Sequence, residues 1–97
     1  MKEGIPEDEE LEYLSKKVHH WKKLGRRLMF DEAELQEFDH KDHEKISEKA
    51  YAMLLAWKQR KGLDATYSVL NNALRDRLVN RKDLARDFCC LIRKLGF

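Results

Sequence analysis

The chain has 97 residues, 42% of them hydrophobic and 39% charged, with a formal net charge of +2. That length supports one compact core and not two, and the apolar share is too high for a disordered tail. No stretch approaches the roughly twenty apolar residues that a membrane-spanning helix needs, and Met1 opens no basic and then apolar leader, so a soluble, cytoplasmic chain without direct membrane insertion is expected.

Helix formers run throughout, and Pro6 is followed by Glu7, Asp8, Glu9 and Glu10, which suits a helix start because negative charge there meets the positive end of the helix dipole. Over residues 7–18 Leu11, Leu14 and Val18 share one face. A second helix places Trp21, Leu24 and Leu28 at the same spacing, with Gly25 between them where another helix can cross closely. In the third, Asp31 caps, Glu34 reaches back and Phe30 staples Leu35, and the helix ends near His40. The fourth and longest carries Ile46, Ala50, Met53, Leu54 and Trp57 and stops at Gly62. Asp64 is the expected cap of a fifth helix with Thr66, Val69, Leu70, Ala73 and Leu74 buried. Asn80 is the expected cap of a sixth, with Asp83 reciprocating and Val79 stapling Leu84, continued by Phe88, Leu91, Ile92 and Leu95.

Each stripe can be buried only against the others, so the fold class is all-α, a six-helix bundle. Cys89 and Cys90 are neighbours on the last helix, poorly placed to bridge each other, and read as two buried reduced thiols rather than a reactive or palmitoylated pair.

The apolar skeleton resembles the death domain. Trp21-Lys22-Lys23-Leu24-Gly25-Arg26-Arg27-Leu28 looks like that family's second helix, a tryptophan ahead of a leucine, a small residue and a second leucine. Leu54-Leu55-Ala56-Trp57 with Gly62, Ala65-Thr66, Leu70 and Leu74 is similar to its fourth-to-fifth helix passage, and Arg81-Lys82-Asp83-Leu84-Ala85 to the start of its sixth helix. The last run also satisfies the R-x-D-L pattern of the death effector domain, against which Trp21 and Trp57 speak. The resemblance implies an antiparallel bundle in Greek-key order, residues 1–97 forming a single death domain with a short acidic lead-in over 1–6, excised from a longer multidomain protein. It further implies homotypic binding of other death-domain proteins, or self-association, in apoptotic or inflammatory signalling.

Charge is segregated along the chain. Residues 1–12 sum to −5, Lys16 to Arg27 holds six bases and no acid, and Asp31 to Glu44 holds seven acids against Lys41 alone. Opposite patches on one small body suit head-to-tail assembly. The family's asymmetric contacts involve the second and third helices against the first and fourth, with others near the fifth-to-sixth loop. The candidate partner-binding residues are therefore Lys22, Lys23, Arg26, Arg27, Glu34, Glu37, Asp39, Asp42, Arg77 and Arg81. The plainer reading of each is a solvated helix face.

Two other readings compete. The Lys16 to Arg27 cluster with its aromatic suggests a basic helical nucleic-acid-binding module, but the acids that follow would repel the same phosphates, so nucleic acid is not expected as a partner. His40-x-x-His43 and His19-His20 lack the convergent spacing of a zinc site, so no metal is expected. No nucleophile with a placed base, glycine-rich phosphate loop or buried carboxylate pair can be located. Catalytic residues, cofactors and a small-molecule substrate are accordingly not expected.

Overall fold

A computed structural model of the chain describes residues 3–40 and 45–90, the side chains of Cys89 and Cys90 excepted. These form six α-helices and no strand: α1 Asp8–Ser15, α2 Trp21–Arg27, α3 Glu32–His40, α4 Ile46–Lys61, α5 Tyr67–Arg75 and α6 Lys82–Ala85. A 3-10 turn at Gly62–Asp64 joins α4 to α5, and a π-helical turn at Arg86–Cys90 continues α6. Leu91, Ile92 and Leu95 of the expected last stripe lie outside the described residues.

Helix α4 is the hub, packed on α1, α2 and α3, while α5 packs on α6 and its π-helical turn and touches α2. Ala50, Met53, Leu54 and Trp57 present the buried stripe of α4, and Leu11, Leu14, Leu24, Leu35, Leu70, Leu74, Leu84 and Phe88 join them in one apolar cluster. The lead-in is anchored too. Pro6 is fully buried and the Tyr67 amide donates to the Gly4 carbonyl at 3.1 Å, which holds residues 4–6 against the start of α5.

Several expected starts and stops are found in the fold. The Asp31–Glu34 capping box is complete: the Glu34 amide donates to Asp31 Oδ1 at 2.8 Å and the Asp31 amide donates to Glu34 Oε1 at 3.0 Å. At α1 the Glu7 amide donates to Glu10 Oε1 at 3.0 Å. A Cβ on Gly25 would stand 2.6 Å from Leu35 Cδ2 and 3.6 Å from Met53, so α2 does meet α3 and α4 at that position.

Four expectations are corrected. Thr66, not Asp64, caps α5, because Gly62–Asp64 is already coiled into the 3-10 turn, and the extended Thr66 accepts from the Val69 amide at 3.2 Å. Val69 is then turned outward, 39% exposed, and the buried face of α5 is Tyr67, Leu70, Asn71, Ala73 and Leu74. Arg81, not Asn80, stands at the N-cap of α6, and the Asp83 carboxylate pairs with its guanidinium at 3.1 Å instead of closing a capping box. Ile46 is 52% exposed, since it is the first residue of α4 and burial begins one turn later at Ala50.

The end of α2 carries a strained residue. The Phe30 amide donates to the Gly25 carbonyl at 3.0 Å and the Met29 amide to Arg26 at 3.1 Å, a Schellman turn that forces Met29 to φ 77°. A left-handed residue with a side chain costs about 1–2 kcal/mol, and glycine's freedom in the unfolded chain offsets roughly half of the relief. Met29→Gly is therefore expected to stabilise the fold by about 1 kcal/mol, read as a higher denaturant midpoint at unchanged slope.

Candidate interaction surface

The charges that run in blocks along the chain are interleaved in space. Arg26 on α2 grips Glu32 at the start of α3 through Nε at 2.6 Å and Nη2 at 3.1 Å. Lys22 reaches Asp39 at 2.7 Å, and Lys49 of α4 reaches the other oxygen of the same carboxylate at 2.5 Å. Glu34 pairs with Arg60 of α4, whose guanidinium also lies 4.5 Å from the ring centroid of Phe30. The acidic face of α3 is thus largely met by cations of α2 and α4, which orients α3 on the bundle. Exposed pairs of this kind contribute little one by one, so the effect is more on orientation than on stability.

The remaining candidates divide by how far the fold has engaged them. Arg81 donates from Nε and Nη2 to Asp83 and from Nη1 to the Lys17 carbonyl at 3.1 Å, tying α6 to the turn after α1. Arg27 has a looser partner, Asp76, at 3.8 Å. Lys23, Glu37 and Arg77 are exposed and make no ion pair among the described residues. Asp42 and His43 lie outside the described residues. Lys23 is one turn before Arg27 on α2, and Arg77 follows Asp76, the partner of Arg27, in the turn after α5.

Reading the sequence alone missed Glu32, Lys49, Lys58, Arg60 and Asp76 as charge partners. Their separations explain why, since Lys58 meets Asp8 at 2.8 Å across 50 positions of chain and Arg60 meets Glu34 across 26. No short-range spacing rule reaches that far.

Ion pairing lowers the carboxyl pKa values of Glu32, Glu34 and Asp39. The ammonium groups of Lys22 and then Lys49 hydrogen-bond Asp39 and hold its carboxyl at about 2, against an ordinary value of 3.8. Arg26 lowers Glu32, and Arg60 lowers Glu34. Because the folded value is depressed, the unfolded chain binds more protons in the acid range. The contribution of Asp39 is then fully present above the ordinary carboxyl value near 4 and is lost as pH falls toward about 2. Asp39→Asn is expected to flatten the fall of thermal midpoint between those pH values without abolishing it, since Glu32 and Glu34 act in the same direction. An unchanged slope would mean that the two lysines do not hold Asp39 in solution.

The death-domain family model matches residues 8–89, which spans α1 to the π-helical turn after α6. The chain belongs to the death-domain family. The six helices are the death-domain fold, and its members are interaction modules rather than enzymes. Part of this death domain is similar to human receptor-interacting serine/threonine-protein kinase 1, with 41% identity over 58 residues. That stretch is 57% of this chain and 8% of the kinase, so the likeness concerns a small part of the larger protein. Among the described residues no helix of the death domain is long and apolar enough to cross a membrane, and no group of three or more His, Cys, Asp or Glu side chains is placed to hold a metal ion.

Proposed function

We propose that this death domain assembles homotypically, with another death-domain protein or with further copies of itself, in apoptotic or inflammatory signalling in the cytoplasm. The reading is carried by three exposed cations, Lys23 and Arg27 on α2 and Arg77 in the turn after α5, which we take together as one row; only Arg27 has a carboxylate among the described residues, and that one at 3.8 Å. Such a row suits an acidic patch on the partner, and a contact of that kind is strongest at low salt. Glu37 supplies an exposed charge of the opposite sign on α3, and Asp42 follows it in sequence. Lys22, Arg26, Glu34, Asp39 and Arg81 act mainly by holding α2, α3 and α6 in place, and their contribution to binding is indirect. Nucleic-acid binding draws less support, because Lys22, Arg26 and Arg27 each already face a carboxylate within the bundle.

Lys23→Glu with Arg77→Glu tests the reading, since both side chains are exposed and the fold does not depend on them. Sedimentation of the domain alone, and pull-down against a panel of purified death domains, are expected to show association weakened at least about tenfold, equivalent to about 1.4 kcal/mol. Circular dichroism should be unchanged. Wild-type association by the double variant would remove this row from the interface.

A further inference from the structure

Two apolar side chains that the bundle covers only in part lie in one groove. Val69 of α5 is 39% exposed and Met29, at the end of α2, is 73% exposed. Together with Ala73 they line a groove of about 540 Å³ between α2 and α5, whose other lining residues are Arg26, Arg27, Asn72 and Asp76. We propose that this groove docks an acidic-aliphatic peptide segment of another protein, its aliphatic side chains on Met29 and Val69 and its carboxylates on Arg26 and Arg27.

Three observations select that occupant. Met29 holds a left-handed turn at φ 77° where glycine fits better, and with most of its surface in water little packing within the fold offsets the strain. A flexible, polarisable side chain kept at such a place suits a contact with another molecule. Val69 is apolar and lies on α5 yet keeps 39% of its surface in water, so this part of the groove favours aliphatic groups.

The arginines choose the sign. Glu32 occupies Nε and Nη2 of Arg26, which leaves guanidinium donors for a second carboxylate. Among the described residues Arg27 has only Asp76, at 3.8 Å, and Asp76 Oδ1 already accepts from the Leu78 amide at 2.9 Å. A ligand carboxylate can approach Arg27 more closely than Asp76 does. A basic segment would meet two guanidinium groups and one carboxylate that is already engaged. Arg27 is shared with the cation row assigned to homotypic assembly, but Met29 and Val69 are outside that row, so the variant at those two positions tests the groove separately.

The test is a fluorescence-anisotropy titration with a labelled synthetic peptide that repeats Glu and Leu at helical spacing, beside peptides with Lys for Glu and with Ser for Leu. The Glu-Leu peptide is expected to bind, to weaken with added salt, and to bind the Met29→Gly/Val69→Gln variant at least about tenfold more weakly. That loss should coincide with a fold at least as stable as the wild type, since Met29→Gly relieves strain, so misfolding is not confused with a lost site. No binding to the wild type, equal binding of the Lys-Leu peptide, or undiminished binding to the variant would each overturn the proposal. Loss of self-association by the variant, with no peptide bound by the wild type, would place a second copy in the groove and overturn it as well.

Discussion

Trp57→Ala is expected to destabilise the domain by about 3–5 kcal/mol, a large part of the roughly 5–15 kcal/mol that a domain of this size has in total. Trp57 is fully buried on the hub helix, in the cluster that α1, α2, α3, α5 and α6 all enter. Removing the indole leaves a void that surrounding leucines from several helices would have to fill together, and close-packed cores relax only partly. The expected observation is a markedly lower thermal midpoint and a denaturant midpoint reduced by that loss at unchanged slope. Trp57→Phe separates volume from polarity. Among the described residues nothing accepts a hydrogen bond from the Trp57 indole N–H, so phenylalanine forfeits packing area but no hydrogen bond. Its cost should be well below that of alanine. Equal losses for the two variants would mean that a polar partner of the indole matters more than its bulk.

Gly25→Leu is expected to cost about 2–3 kcal/mol although leucine is the better helix former by nearly 1 kcal/mol. The first added carbon would already stand 2.6 Å from Leu35 Cδ2, inside any real contact distance, with Met53 behind it. Leu35 and Met53 are themselves fully buried, so neither has room to retreat, and α2 must move away from α3 and α4. The movement has a functional reading. Arg26–Glu32 and Lys22–Asp39 span the same α2–α3 junction, so displacing α2 breaks both pairs and shifts Lys23 and Arg27 with them. Denaturant unfolding and partner binding should therefore fail together, whereas Lys23→Glu with Arg77→Glu should impair binding alone. A Gly25→Leu domain with wild-type stability would show that the helices do not cross at that point.

Local chemistry made much of this fold legible before any tertiary contact was considered. The α3 capping box needs only Asp31 and Glu34 three positions apart, and the close crossing at Gly25 is signalled by one small residue inside a narrow apolar stripe. Where the expectation failed, two local solutions competed. Both Asp64 and Thr66 can cap α5, and the choice fell to Thr66 because Gly62 opens a 3-10 turn that uses the residues up to Asp64. At α6, Asp83 can serve a capping box or pair with Arg81, and the guanidinium took it.

The interaction surface was less legible, for a physical reason that Asp39 illustrates. In sequence it belongs to an acidic run, and in space it sits between Lys22 and Lys49 with its charge spent. Block charge along a chain therefore overstates the field that a partner would meet. The sequence by itself determined the helices, most of their buried faces and the family, because periodicity and caps act over three or four residues and Trp57 and Gly25 declare their burial by type. Only the tertiary structure decided which charges remain for a partner and that Met29 and Val69 stay partly uncovered, because ion pairs between helices and the gaps between them depend on residues tens of positions apart.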